Sequence, residues 1–193
     1  MNSGQATAPR KRLFRIFSPA YPAFNIYSRV ADVTTSLGPV CVATSANQVE
    51  GWQAEVVDEN NCLKYCPKTR DGTPDHNMLQ YLRPADVVGF YGGLTSIVPR
   101  LYELARFYKG IGITTIAGGQ HFAGENIEEA LRNGVDIVVI GEGDDTIVEI
   151  LSAIRTGAAL DGIAGIAFKR GEQVVRTTPR PHALNFEHHP LPD

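Results

Sequence analysis

The chain has 193 residues, 43% of them hydrophobic, and 18 lysines and arginines against 21 aspartates and glutamates give a formal net charge of −3. That length supports one domain with a core of its own and a small appendage, and so even a charge balance excludes a strong pull toward nucleic acid or an anionic membrane. No apolar run approaches the roughly 20 residues of a membrane-spanning helix, and the basic start RKRLFRIFSP lacks the apolar stretch and cleavage site of a secretory signal, so a cytoplasmic protein with no membrane or nucleic-acid partner is expected.

From Leu13 onward short apolar runs alternate with helical patterns, the signature of strand–helix units stacked into a parallel sheet. Leu13–Ser18 predicts strand one. The proline-broken loop SPAYPAF follows, and Leu37–Gly51 predicts a first helix whose start is blurred by Gly38 and Pro39. The alternation in WQAEVVDE gives strand two, and a polar loop, NNCLKYCPKTRDGTPDH, separates it from a short helix in NMLQYLR. ADVVGFYGG supplies strand three. The helix after it carries Ile97, Leu101, Leu104 and Tyr108 on one face at about 3.6 residues per turn. Strand four runs from Ile113 and stops on Gly118–Gly119. ENIEEALRNG places Asn126 three residues before Glu129, a capping box, and closes on Gly134. VDIVVIG is apolar almost throughout, as for a strand covered on both faces. The next helix, DDTIVEILSAIRTG, opens on acidic residues and Thr146, aligns Ile147, Ile150, Leu151 and Ile154, and ends at Gly157.

The predicted architecture is α/β: a flavodoxin-like (Rossmann-like), doubly wound sheet of five parallel strands. GIAGIAFKRGEQVVRTTPRP then reads as an antiparallel β-hairpin turning at KRGE, and HALNFEHHPLPD as a linker or docking arm with more chain expected beyond it. The expected organisation is an N-terminal tail (residues 1–11), the α/β domain (12–158), the hairpin extension (159–181) and the linker (182–193).

Cys41, Cys62 and Cys66 are too few and too unevenly placed for a disulfide framework, so reduced thiols are expected. CLKYC has the start of a metal or cluster spacing, but no second pair or nearby His completes it, and the residues read as structural.

In open α/β sheets ligands bind outside the carboxyl ends of the strands, where strand order reverses. Those ends read Ser18–Pro19 for strand one, Tyr91–Gly92–Gly93–Leu94–Thr95–Ser96 for strand three, Gly118–Gly119–Gln120–His121 for strand four and Gly141–Glu142–Gly143–Asp144 for strand five. Glycine at three of these four ends points to a ligand lying across exposed backbone. The pair Gly118–Gly119 in particular gives up packing and chain entropy unless positive φ or a close approach requires it. GEGDDT opens like a dinucleotide fingerprint, but it lacks the third glycine and puts acids where a pyrophosphate needs bare amide groups. Glu142 and Asp144 also suit a helix N-terminus, and the hydroxyls of LTS suit a helix cap. A phosphorelay receiver would need an acidic cluster after strand one and an Asp ending strand three, and a flavodoxin would need a hydroxyl-rich phosphate loop where SPAYPAF stands. Alone, His121 reads as a turn or surface histidine. His182, His188 and His189 read as solvent-exposed, because no carboxylate-and-His pair at helical spacing organises them into a metal site. No Ser–His–Asp order or paired carboxylates stand out, so no catalytic residue and no metal ligand is assigned.

Taken in order, ADVVGFYGGLTSIVPRLYELARFYKGIGITTIAGGQHF, ALRNGVDIVVIGEGDDTIVEIL, GIAGIAFKRGEQVVRTTPRP and PLPD resemble the N-terminal cobalamin (B12)-binding domain of B12-dependent radical S-adenosylmethionine (SAM) enzymes, well over residues 84–193 and loosely over residues 12–60. In that family strand four ends in Gly-Gly-x-His, strand five in Gly-Glu-Gly, and a Pro-rich linker leads into the catalytic barrel. The resemblance implies that Gly118 and Gly119 let the cofactor's nucleotide tail or corrin edge approach the backbone. It implies that Gly92, Gly93, Leu94 and Thr95 line the tail pocket, where Gly92-x-Leu94 keeps the leucine of a common Ser-x-Leu pattern and loses its hydroxyl. Gln120 and His121 would face the corrin or its amides, Glu142 and Gly143 would border the pocket, and Ser18 would complete the set at the end of strand one.

The chain also departs from the family. The motif Asp-x-His-x-x-Gly, whose His replaces the cofactor's own base on cobalt, is absent from the loop after strand one, so the lower axial position would be filled by another residue, by water or by nothing. The Cys-x-x-x-Cys-x-x-Cys of the iron–sulfur cluster is missing too: Cys62 and Cys66 have its first spacing, but Thr69 stands where the third Cys belongs. The resemblance therefore implies a domain that holds cobalamin toward a radical SAM catalytic domain of the same longer chain. There SAM and the 4Fe-4S cluster would sit, and methyl transfer or a rearrangement would occur; this chain alone is not expected to be catalytic. The alternative is a docking or substrate-recognition module of the same fold without cobalamin, favoured by the missing axial His and by bulky Tyr91 on the rim.

Overall fold

The computed structural model describes residues 10–22, 31, 34–182 and 190–192. Most of the predicted N-terminal tail, the end of the SPAYPAF loop and most of the linker, including His188 and His189, lie outside the described residues. The elements in chain order are β1 (Arg12–Ser18), α1 (Leu37–Ala46), β2 (Trp52–Asp58), α2 (His76–Leu82), β3 (Val87–Tyr91), α3 (Val98–Gly110), β4 (Thr114–Gly118), α4 (Asn126–Arg132), β5 (Ile137–Val139), α5 (Asp144–Thr156), β6 (Ile166–Arg170) and β7 (Gln173–Arg176), with single 3-10 turns between some of them.

The strands form one sheet in the order β2-β1-β3-β4-β5-β6-β7. The first five are parallel, and β6 and β7 add to the same sheet antiparallel. The expected five-stranded sheet is thus a seven-stranded one, because the hairpin pairs with β5 instead of standing apart as an extension. Val139 faces Ile166 and Ile137 faces Phe168 across that junction, all four buried. β7 in turn pairs Ala167 with Arg176, so it runs in the direction of β5.

Strand periodicity divides the core. Phe14 and Ile16 of β1, Val87 of β3, Ile116 of β4 and Ile137 and Val139 of β5 point to one face, covered by α1 and α5. Leu13 and Phe17, Val88 and Phe90, Ala117 and Val138 point to the other, covered by α2, α3 and α4. Two aspartates at strand entrances set the register. Asp86 accepts from the Leu13 N–H at 2.7 Å and Asp136 from the Thr115 N–H at 2.9 Å, tying β3 to β1 and β5 to β4 through the same device. On α3 the predicted face is the buried one, since Leu101, Leu104 and Tyr108 are 0–2% exposed.

Two local expectations are corrected. The first helix ends at Ala46, not Gly51: Asn47 turns its side-chain oxygen to the Ala54 N–H at 2.7 Å, and buried Val49 and Trp52 pull the following turn onto the core. The capping box at Asn126 does not form. Asn126 is already the first helical residue, and its amide donates to the His121 carbonyl at 2.9 Å instead.

Gly134, just beyond α4, holds φ +97, and a Cβ there would meet the Arg106 backbone nitrogen at 2.8 Å. Gly134→Ala is therefore expected to cost about 2 kcal/mol, from left-handed strain plus a displaced α3 backbone, in a urea melt at neutral pH. No helix among the described residues is long and apolar enough to cross a membrane.

Candidate functional site

Strand order reverses between β1 and β3: from β1 the chain steps outward through α1 to β2, then back through β3 to the remaining strands. The carboxyl ends of β1, β3, β4 and β5 border this switch point, where an open α/β sheet leaves a crevice. A cavity of about 330 Å³ opens there between the sheet and the paired helices α1 and α5, a volume at the low end of small-molecule sites. Its floor is Phe14 and Ile16, Gly89, Ile116 and Gly118, and Val139; its walls are the start of α1 from Leu37 to Val42 and the start of α5 at Gly143, Asp144 and Ile147.

Glycine lowers that floor in two ways. At Gly89 the absent side chain is replaced by the Phe14 ring, since a Cβ there would lie 2.8 Å from its tip. At Gly118 nothing fills the gap. A Cβ would find only Val139, at 3.4 Å, so the space above Gly118 belongs to the cleft. Gly119 has a different reason. With φ +121 and an imagined Cβ 2.7 Å from the Gly92 backbone, it exists for the crossing of two loops, which the bond from the His121 N–H to the Gly92 carbonyl, 3.0 Å, closes.

Of the residues that the resemblance assigns to the cofactor, Gly118, Gly119 and Gly143 line the cleft, joined by Tyr91, Gly141 and Asp144 of the same strand ends. The others share its rim without lining it. Gly92 is buried under Phe122, whose ring occupies its side-chain space, and Gly93 is likewise occupied by the Tyr91 ring. Leu94, Thr95 and Gln120 are exposed beside the mouth. Thr95 caps no helix: its hydroxyl pairs with His121 Nδ1 at 3.2 Å, while His121 Nε2 is buried with no partner among the described residues. Glu142 is half-buried and its carbonyl accepts from the Thr146 hydroxyl at 3.0 Å. Ser18 is buried and its carbonyl accepts from the Glu59 N–H. Cys41, in the α1 wall, is held in its thiol form by burial and by nearby Asp144, which itself accepts from the Ser45 hydroxyl at 3.3 Å.

Sequence reasoning missed what positions this rim. The end of β2 reads Asp58–Glu59–Asn60, and it grips the loop after β1: the Ala20 N–H donates to Glu59 at 3.0 Å and the Tyr21 N–H to Asn60 at 2.8 Å. The Glu59 side chain is wholly buried and held by His76 Nε2 at 2.9 Å and by Arg100 at 2.7 and 3.1 Å, while His76 Nδ1 meets the Tyr108 hydroxyl at 3.0 Å. Burial alone would push the Glu59 carboxyl up; the hydrogen bonds and charges of His76 and Arg100 outweigh it and bring the pKa down to about 2. The readable trace of this network was a carboxylate at the end of the predicted second strand and a histidine closing the polar loop after it, which carry little signal by themselves.

A doubly wound sheet with an apolar cleft at its switch point defines an α/β domain of the cofactor-holding kind. Residues 28–151 match the family model of the B12-binding domain, and the chain belongs to that family. The likeness read from the sequence is thereby confirmed at the level of the domain. Among curated proteins the chain is similar to an uncharacterized methyltransferase of Pyrococcus horikoshii, 32% identical over 111 residues, 55% of this chain and 24% of the relative. Its fold is that of the cobalamin-binding part of B12-dependent radical SAM enzymes. The methyltransferase TsrM from Kitasatospora setae, solved with cobalamin and a 4Fe-4S cluster, superposes with a TM-score of 0.64 at 18% identity over 93% of this chain and 31% of that one. The cobalamin-dependent SAM radical enzyme OxsB, solved with aqua-cobalamin, gives 0.66 at 13% identity over 92% of this chain and 23% of that one. The chain thus spans about a quarter to a third of these relatives.

Proposed function

We propose that this chain holds cobalamin at the carboxyl rim of its sheet, with the nucleotide tail in the cleft between α1 and α5. The observation that carries the reading is the unfilled space above Gly118, an apolar cradle at the switch point of a B12-binding domain that a single Cβ would begin to fill. Bound there, the group supplies a cobalt centre able to carry a methyl group or exchange electrons. The chain's own residues bind and orient it. The cleft takes the tail, and Gln120 and His121 stand beside the mouth to meet corrin amides. Ser18, Gly92, Gly93, Leu94, Thr95, Glu142 and Gly143 complete the rim around it.

In this reading the domain serves a radical SAM catalytic domain of a longer chain, in the cytoplasm, and SAM and the iron–sulfur cluster belong to that domain. The larger size of the relatives supports this. The reaction, methyl transfer or rearrangement, is a property of the whole enzyme.

The test mixes the purified chain with hydroxocobalamin, removes the excess on a desalting column, and records the visible spectrum with cobalt content. Cobalt close to one per chain, with a spectrum shifted from the free cofactor, is expected. A folded chain that retains no cobalt in either oxidised or reduced buffer would instead mark a docking module of the same fold.

A further inference from the structure

We infer that the cleft selects among corrinoids by the base on their nucleotide tail, admitting an apolar benzimidazole and discriminating against a purine such as adenine. The inference rests on the reading that this domain holds cobalamin, and it names which member of that cofactor class fits.

The argument is one of polar satisfaction. The deep surfaces are hydrocarbon: Phe14, Ile16, Ile116 and Val139 beneath, Val42 and Ile147 at the sides. Only three lining side chains carry polar atoms, and each has a limited reach. Asp144 is an acceptor, already engaged by Ser45. Cys41 offers a thiol, a weak donor. The Tyr91 ring and hydroxyl fill the side-chain space of Gly93, with the ring edge against Gly38 at the start of α1, so this hydroxyl is committed to one side of the cleft. An adenine brings several ring-nitrogen acceptors and an exocyclic amine into this space, and the buried groups left without partners weaken binding. A dimethylbenzimidazole, with two methyl groups in place of those polar atoms, would add apolar contact to the same surfaces. The same asymmetry separates ligands wherever a pocket has no groups to answer a polar substituent.

The experiment measures affinity for three probes by visible titration of the folded chain: cobalamin, its adenine-tailed analogue, and cobinamide, which has the corrin but no base. Cobalamin is expected to bind at least about tenfold more tightly than the adenine analogue, and cobinamide about a hundredfold more weakly than cobalamin. Val42→Asn places an amide in the half-buried α1 wall and is expected to move the cobalamin-to-adenine ratio toward one. Cobinamide binding as tightly as cobalamin would show that the cleft holds no tail and would overturn the inference while leaving cobalamin binding intact. Equal affinity for the two bases, or a ratio untouched by Val42→Asn, would overturn the selectivity alone. No binding of any of the three would remove the cofactor reading and this inference with it.

Discussion

Gly118→Leu is expected to weaken cobalamin binding by about a hundredfold, equivalent to about 2.7 kcal/mol, while the chain keeps its fold. The two halves of that expectation have separate causes. Gly118 has an ordinary strand backbone with no positive φ, and its imagined Cβ touches only Val139 at an ordinary distance, so a side chain enters without displacing the sheet. It points to the same face as Ile116, however, and therefore into the cleft. Gly119, its neighbour, behaves in the opposite way. Any side chain there strikes the Gly92 backbone from a left-handed conformation, so Gly119→Val damages the crossing of the β3 and β4 loops whatever the cofactor does. Circular dichroism and cobalamin titration on both variants separate the cases. A Gly118→Leu protein that binds cobalamin as the parent does would empty the cleft of its assigned role.

The second large effect lies away from the cleft. Glu59→Ala is expected to destabilise the domain by about 3 kcal/mol at pH 7, because it leaves the partly buried Arg100 and the buried His76 without their shared acceptor and frees the loop at Ala20. The effect carries a pH signature. The Glu59 pKa is about 2 in the folded chain and lies in the ordinary carboxylate range when unfolded. A depressed folded pKa means that the contribution is fully present above about pH 4.5 and is lost as pH falls through about 2. The gap between parent and Glu59→Ala in urea melts should therefore close across that acid window. A difference under about 1 kcal/mol at neutral pH, or a gap that stays constant down to pH 2, would show that the network does not hold the rim.

How much of this was legible in the sequence depends on the range of the interaction. The buried faces of α3 and α5 follow from residues three and four apart, and the strands from runs of five to seven apolar or alternating residues, so both read correctly. The hairpin also read correctly, but not its attachment, because pairing of Val139 with Ile166 is decided by the open edge of a sheet and not by either strand alone. The capping box at Asn126 failed for a similar reason: the His121 carbonyl, brought close by the loop crossing at Gly92, outcompeted a local bond. In the site, the glycine-rich strand ends were visible but their purposes were not. Gly92 and Gly93 make room for Phe122 and Tyr91, while Gly118 makes room for the cleft. Gly89, inside the run VVGFY, was the overlooked clue, since a glycine in a strand interior marks a close approach, here of Phe14. The Glu59 network was invisible because Arg100 and Tyr108 lie far along the chain from it.

The antiparallel turn at β6 settles a matter of parity. One reversal would have left the chain heading for the amino-terminal side of the sheet, opposite the cleft. Two reversals restore the original polarity, so after Arg176 the backbone emerges on the rim where β1, β3, β4 and β5 end. The bond from the Gly165 N–H to the Thr178 carbonyl and the pairing of Arg180 with Glu149 of α5 then steer it along that edge toward Glu142, near which His182 stands. The hairpin thus acts as a chain-routing device: an even number of added strands brings the backbone through Thr178, Arg180 and His182 back to the rim beside the cleft, where an odd number would have carried it to the far side of the sheet.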